Sequence, residues 1–384
     1  MVLIQLELNK KGVENMDRIK KNFGFGCMRL PMNGEKVDTQ EFTKMVDTFI
    51  EQGFNYFDTA HGYLKGESEK ALKECLTSRY DRKDYLLANK LTATYFNKEG
   101  DVKPFFESQL ELCGVDYFDF YLMHAQSSNN YGQFKASRAY EQAFELKEAG
   151  KIRHVGLSFH DRPEVLDMIL SENPKVEFVQ IQFNYMDLDD QAIQSRRCAE
   201  ICLKHNKPII VMEPVKGGNL VNMPEPALKI LSDLKGGSAA SYAVRFAASQ
   251  KGVFMVLSGM SNMEQMNDNL STMKNFIPLN ENEYKAIDEV RHYFKSLDLI
   301  GCTACQYCVE GCPEKIRIPD IFSAVNSYSV FKNWNTKFYY TNVITADGHG
   351  KASDCIQCGA CEQVCPQHLL IRDLLVQAAQ TFES

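Results

Sequence analysis

Eight short apolar runs alternating with longer segments of helical period, and behind them two cysteine runs of identical spacing, predict an α/β chain. Its expected form is a (β/α)8 TIM barrel followed by a small, mainly helical ferredoxin-like iron–sulfur domain. At 384 residues the chain exceeds what one core usually holds, roughly 250–300 residues, so two folding units are expected, 16–280 and 281–384.

The strands fall near 22–29, 54–59, 85–90, 118–124, 154–158, 178–183, 208–214 and 254–258, each rich in β-branched or aromatic residues. Between the first two, Asp38 and Glu41 form a capping-box pattern that opens a helix. Phe42, Met45, Val46, Phe49 and Ile50 share one face of that helix, and Gly53 stops it. Segment 137–150 repeats the logic, and a helix over 281–297 leads into the second unit. Barrels of this kind run to about 250 residues and place their chemistry at the C-terminal ends of the strands.

Hydrophobic residues at 44% and charged residues at 24% are ordinary for a globular protein. The net charge of -7 comes with no basic stripe, which excludes a nucleic-acid partner. No run approaches the roughly 18 uncharged apolar residues of a membrane span, and no basic segment leads into a signal-like core. A cytoplasmic protein with no membrane partner is expected. Thirteen cysteines in a reducing compartment point to metal ligation, not to disulfides. Five of them, Cys27, Cys75, Cys113, Cys198 and Cys202, are scattered and read as small buried hydrophobes.

The other eight form Cys302-x2-Cys305-x2-Cys308-x3-Cys312-Pro313 and Cys355-x2-Cys358-x2-Cys361-x3-Cys365-Pro366. Both match the bacterial ferredoxin pattern, in which three closely spaced thiolates wrap one cubane and the fourth, before proline, crosses to the other. One [4Fe–4S] cluster should therefore use Cys302, Cys305, Cys308 and Cys365, and the other Cys355, Cys358, Cys361 and Cys312. Zinc sites usually want isolated pairs, which neither run provides. The long connection between the runs carries Ile318, Ile321, Phe322 and Val325 at helical spacing, read as an inserted helix. His349, between Gly348 and Gly350, is expected in solvent.

The second strand ends in Asp58-Thr59-Ala60-His61-Gly62-Tyr63, the third in Asn89-Lys90 and the fourth in Met123-His124. With Gly24-Phe25-Gly26-Cys27-Met28-Arg29-Leu30-Pro31, His154-Val155-Gly156-Leu157-Ser158, Glu213-Pro214 and Met266-Asn267-Asp268-Asn269-Leu270, this resembles the aldo-keto reductase superfamily from Gly24 to about Leu270. The cysteine tail makes the whole chain similar to that superfamily's ferredoxin-fused branch. The resemblance implies a catalytic tetrad of Asp58, Tyr63, Lys90 and His124 acting on a carbonyl or alcohol. Tyr63 would be the acid, its phenol pulled toward neutrality by the Lys90 ammonium. Asp58 would orient Lys90, and His124 would orient the carbonyl and share the proton.

The resemblance further implies an NAD(P)H site. Ser158 and Gln180 would hold the nicotinamide carboxamide. Met212, Pro214, Val215, Lys216 and Gly218, with Ser258, Gly259, Met260 and Ser261, would cradle the pyrophosphate and adenosine. Gly26, Cys27, Met28 and Asp58 belong to the same site, and Gln265, Asp268 and Asn269 to its adenine end. Three positions depart from the family pattern: Phe159 replaces an amide ligand, Met212 an aromatic stacker, and Gln265 an arginine for the 2′-phosphate.

Hydride moves two electrons, whereas an iron–sulfur cluster moves one, and a flavin converts between them more readily than nicotinamide. FMN in the barrel mouth, with its phosphate near 258–261, is therefore an alternative cofactor, and a ferredoxin or other redox protein is an expected partner. The competing reading is an electron-transfer or redox-sensing module whose barrel is a docking scaffold. The polar loop 125–131 suits a hydroxylated ligand.

Overall fold

The computed structural model describes residues 16, 18–128, 130–189, 193–297, 299–302, 306–332, 336–337, 340–345, 348–365 and 367–384, excluding the side chains of 331, 342 and 343. Cys305 and Pro366 lie outside the described residues.

Eight parallel strands close into a barrel: β1 Phe23–Gly26, β2 Tyr56–Asp58, β3 Leu86–Leu91, β4 Phe118–Gln126, β5 Ile152–Phe159, β6 Phe178–Gln182, β7 Ile209–Met212 and β8 Val253–Gly259. Each strand pairs with its neighbours in sequence, and β1 closes the ring between β2 and β8 through the registers Gly26↔Asp58 and Gly26↔Gly259. A two-residue antiparallel ladder, Met32–Asn33 with Lys36–Val37, lies outside the barrel sheet. In helix Thr39–Glu51 half of the expected capping box forms: the Asp38 carboxylate accepts from the backbone N–H groups of Gln40 and Glu41 at 3.1 and 3.0 Å, while the Asp38 N–H donates to the Pro31 carbonyl at 2.8 Å and not to Glu41. The Glu41 carboxylate pairs with Lys44 at 3.3 Å. The helix's inner face meets β1 through Phe42 and Phe49, with Phe25 edge-on to Phe42 at 5.7 Å. Each fully buried ring of this kind contributes about 1.5–3 kcal/mol through burial.

Inside the barrel, Tyr56, Phe120, Phe178, Ile210, Met255 and Leu257 fill the space between strands. The packing depends on Gly156. A Cβ there would stand 2.4 Å from the Phe178 ring, a distance no real contact tolerates. Gly156→Ala should therefore destabilise the barrel by about 1–3 kcal/mol through overpacking. Thermal denaturation followed by circular dichroism would read this as a lowered midpoint.

The chain divides into two compact units, Met1–Leu220 with Leu234–Tyr284, and Val221–Asp233 with Lys285–Ser384. The division falls within helix Glu281–Ser296, a few residues past the expected 280/281 boundary. Segment 221–233, expected with the barrel, packs with the second unit.

The second unit is built around helices Ile318–Phe331 and Ile371–Phe382. Ile318, Ile321 and Phe322 are buried with Ile371, Leu375 and Phe382, and Val325 is partly covered, as the helical spacing between the cysteine runs implies. Tyr340 stacks on Phe382 at 4.6 Å. His349 is partly exposed, its ring nitrogen 3.1 Å from the Lys315 carbonyl. Among the described residues no helix is long and apolar enough to cross a membrane.

Candidate active site and cluster cavities

Asp58 ends β2, Lys90 lies in β3 and His124 in β4, so three adjacent strands deliver three polar side chains to one end of the barrel. Lys90 Nζ donates to Asp58 Oδ1 at 2.6 Å and to the Thr59 carbonyl at 2.7 Å, and both charged side chains are buried. Tyr63 comes from the loop after β2. Its ring centroid lies 4.9 Å from Lys90 Nζ and 6.1 Å from the His124 ring, which it meets edge-on at 75°. The four residues converge.

The Tyr63 loop is held in a costly shape. Leu64 and Lys65 adopt left-handed backbone angles, φ 51° and 57°, at about 1–2 kcal/mol each. Hydrogen bonds on either side offset that cost. Thr59 Oγ1 and Ser68 Oγ are 2.8 Å apart, and Ser68 Oγ donates to the Cys27 carbonyl at 2.9 Å. His61 Nδ1 is 2.7 Å from the buried carboxylate of Glu69, whose other oxygen accepts from Asn89 Nδ2 at 2.8 Å.

Burial pushes Asp58 up against the pull of Lys90. Burial alone would lower Lys90, but Asp58 and then Tyr63 outweigh it and hold the ammonium charged. For Tyr63, burial raises the phenol and outweighs the lowering by the charge and hydrogen bond of Lys90. The lowering expected from Lys90 is present, yet the net direction is upward, because a phenolate enclosed by protein loses more hydration than one ammonium returns. His124 is pushed down to about 3, by burial first and then by Lys90 and His160. At neutral pH it is therefore an uncharged imidazole, with Nδ1 2.7 Å from Thr92 Oγ1. It is suited to orient a carbonyl and not to supply a proton.

Ser158 near the end of β5, Gln180 in β6 and Met212 ending β7 lie on adjacent strands. Ser158 Oγ accepts from the Ala125 N–H at 2.8 Å, and Gln180 Nε2 sits 3.5 Å from the Met212 sulfur. Gln180 Oε1 and Asn269 Oδ1 are buried acceptors with no hydrogen-bond partner among the described residues. Buried acceptors of this kind are normally paired, so both fit a ligand that brings N–H donors. Phe159 lines a cavity of about 200 Å³ with His160, Asp161 and Cys198, in place of offering an amide.

At the other proposed contacts, Cys27 is fully buried with its N–H on the Asp58 carbonyl, Met28 is exposed, and Met260 is buried. After β7, Glu213, Lys216, Gly217 and Gly218 all have positive φ, while Pro214 is buried and Val215 half-buried. Lys216 forms an ion pair with buried Asp187. Gln265 accepts from the Ser261 N–H at 2.8 Å, Ser258 Oγ accepts from Asn269 at 3.0 Å, and Asp268 accepts from Ser238 at 2.7 Å.

In the second unit the cysteines border two cavities. Cys312 joins Cys355, Cys358 and Cys361 around one cavity, with Ile316, Ile318 and Leu375 beside them. Cys365 joins Cys302 and Cys308 around the other, with Phe322, Leu369 and Ile371. Each cavity therefore mixes the two runs in the crossed sense. Among the described residues no group of three His, Cys, Asp or Glu side chains is placed to hold a single metal ion. Thiolates spaced around an apolar cavity fit a cubane, whose irons are bound one per cysteine.

The aldo/keto reductase family matches residues 22–292, and a 4Fe-4S dicluster domain matches 301–370. The chain belongs to the aldo/keto reductase family. It is an oxidoreductase of that family with a ferredoxin-type iron–sulfur domain following the barrel in sequence. The uncharacterized oxidoreductase YqkF of Bacillus subtilis (strain 168) is 24% identical over 314 residues, covering 73% of this chain and 95% of the relative. The NADH-specific methylglyoxal reductase of Escherichia coli (strain K12) is 23% identical over 271 residues, 59% of this chain and 82% of that enzyme. An aldo-keto reductase from Klebsiella pneumoniae, crystallised in complex with NADPH, shares the fold with a TM-score of 0.58 and 17% identity, over 70% of this chain and 90% of that one.

Three features of this aldo/keto reductase family barrel escaped the sequence reading as site residues. Thr92 holds the His124 ring, Glu69 anchors the Tyr63 loop, and Arg29 reaches from the end of β1 to the loops after β7 and β8. Only Arg29 gave a signal, as a cation inside a motif already counted.

Proposed function

We propose that the barrel reduces a carbonyl, or oxidises the corresponding alcohol, with NAD(P)H, and that Asp58, Tyr63, Lys90 and His124 carry the reaction. The observation that carries this reading is the convergence of Tyr63 and His124 on a buried Lys90–Asp58 pair at the strand ends. A bound nicotinamide supplies hydride to the carbonyl carbon. His124, neutral and fixed by Thr92, orients the carbonyl oxygen, and Tyr63 gives that oxygen its proton as negative charge builds there. Lys90 stabilises the phenolate left behind, and Asp58 keeps Lys90 charged and aimed.

The orphaned acceptors support a dinucleotide in preference to FMN. Gln180 Oε1 suits the carboxamide amino group and Asn269 Oδ1 the adenine amino group, the two ends of one molecule, on separate elements of the barrel. The NADH-specific relative supports NADH as one of the two nucleotides to test. In the second unit, Cys302, Cys305, Cys308 and Cys365 would hold one cluster and Cys355, Cys358, Cys361 and Cys312 the other. These clusters would exchange single electrons with a ferredoxin or other redox protein in the cytoplasm, where a reducing medium preserves thiolate ligands. The test is anaerobic oxidation of NADH and NADPH with a panel of aldehydes and ketones. Nucleotide should be consumed only when a carbonyl is supplied, with one alcohol formed per nucleotide; no turnover across the panel would refute the reading.

A further inference from the structure

β5 and β6 end side by side, with Ser158 opposite Gln180 and Phe159 opposite Ile181. Side chains alternate along a strand, so Gln182 shares the face of Gln180, and His160, one residue past β5, shares that of Ser158. His160 and Gln182 therefore stand one layer further toward the strand ends than the pair read as holding the carboxamide. The His160 N–H donates to the Gln126 carbonyl at 3.0 Å, and its ring stands near enough to His124 for a charge on it to push His124 down. Both side chains border the cavity of about 200 Å³ that reaches from these strand ends to Cys198 in helix Ser195–Lys204. A single water needs only roughly 10–15 Å³, so part of a substrate fits there.

The polar groups facing this cavity are unevenly committed. Neither ring nitrogen of His160 has a hydrogen-bond partner among the described residues, and neither has Gln182 Oε1. Gln182 Nε2 donates to Asp187 at 2.8 Å, which fixes the amide. His160 is exposed as a residue, yet the protein packed around its ring pushes the imidazole below its usual value. At neutral pH it is uncharged and offers one donor and one acceptor. Asp161 accepts from the backbone N–H groups of Ser128 at 2.6 Å and Arg162 at 2.7 Å, and adds a negative charge. Burial pushes the Cys198 thiol up to about 12, so it stays protonated and is no nucleophile at neutral pH. No lysine or arginine borders the cavity among the described residues.

This lining discriminates among carbonyl compounds. A hydroxyl group donates and accepts at once, and so pairs with His160 and with Gln182 Oε1. An alkyl chain would leave both unpaired. A carboxylate or phosphate would meet an acceptor oxygen and the Asp161 charge, with no cation to receive it. We propose that His160 and Gln182 form a substrate subsite for the hydroxyl groups of an uncharged, polyhydroxylated carbonyl compound, and that they set specificity against alkyl and anionic carbonyls. This rests on the carbonyl-reduction reading above and names its substrate class.

The test is steady-state kinetics of the full-length anaerobic protein, with NADH and with NADPH, on three four-carbon aldehydes: D-erythrose, butanal and succinate semialdehyde. Wild type should favour erythrose over each of the others by about 10- to 100-fold in kcat/KM, as expected where hydrogen-bonding groups are either paired or left bare. His160→Leu should lower the ratio of erythrose to butanal about tenfold. His160→Gln, which keeps a donor and an acceptor, should stay nearer wild type, and Gln182→Met carries the same expectation as His160→Leu should that variant fail to fold. Nucleotide Kd by equilibrium dialysis should stay close to wild type in all three, which separates a substrate contact from a loosened barrel end. A wild type that prefers butanal or succinate semialdehyde, or a ratio unmoved in both His160→Leu and Gln182→Met, would overturn the inference and leave the carbonyl-reduction reading standing. No turnover of any of these aldehydes or of the wider panel would overturn that reading, and this inference with it.

Discussion

Replacing Tyr63 with phenylalanine should reduce carbonyl turnover about 100- to 10,000-fold while leaving nucleotide affinity close to wild type. The hydroxyl acts on an oxygen that becomes basic only as hydride arrives, so its loss falls on kcat and kcat/KM together and not on the Kd of the cofactor. Phenylalanine keeps the ring that meets His124 and lies near Lys90, so the loop should hold its shape. Lys90→Met is a poorer test, since it leaves Asp58 buried without its cation at a cost of about 3–5 kcal/mol. Steady-state rates with the best aldehyde or ketone, paired with equilibrium dialysis of the nucleotide, separate the two effects. Turnover in Tyr63→Phe equal to wild type would remove Tyr63 as the acid.

The second large effect concerns the crossed cysteines. Cys312→Ser should cost about four irons per chain, and the cluster lost should be the one whose other ligands are Cys355, Cys358 and Cys361, not its own run-mates. Paired substitutions decide this. Cys312→Ser with Cys358→Ser should keep about four irons, because both changes strike one cluster, whereas Cys312→Ser with Cys308→Ser should keep almost none. Iron and acid-labile sulfide counts on anaerobically purified protein give the answer. The reverse pattern would mean that each run closes its own cluster.

Much of this site was legible because Asp58, Lys90 and His124 follow the apolar runs of three expected strands, within the motifs that resemble the aldo-keto reductase superfamily. The cysteine spacing is legible because ligand geometry fixes it locally. Arg29 was not, since its role depends on residues 217 and 259 meeting beside it, a tertiary fact with no trace in the motif. Lys216 read as a loop lysine free to reach phosphate, and only the fold places the carboxylate of Asp187 against it. The balance on Tyr63 was likewise hidden. The sign of the Lys90 contribution follows from residue types, but burial, which outweighs it, depends on how closely the barrel end encloses the phenol. Segment 221–233 carries no composition shift to show that it leaves the barrel for the second unit.

The most direct test of the central claim, that hydride passes from nicotinamide to the carbonyl carbon within the barrel, is the fate of a label. NADH and NADPH deuterated at C4 of the nicotinamide would be supplied with the best carbonyl substrate under anaerobic conditions, and the alcohol examined by mass spectrometry. Direct transfer predicts one deuterium per alcohol from one face of the nicotinamide and none from the other, independent of whether the clusters are intact. An alcohol carrying solvent hydrogen in place of the label would contradict the account, because passage through a flavin or through single-electron steps at the clusters allows exchange with water.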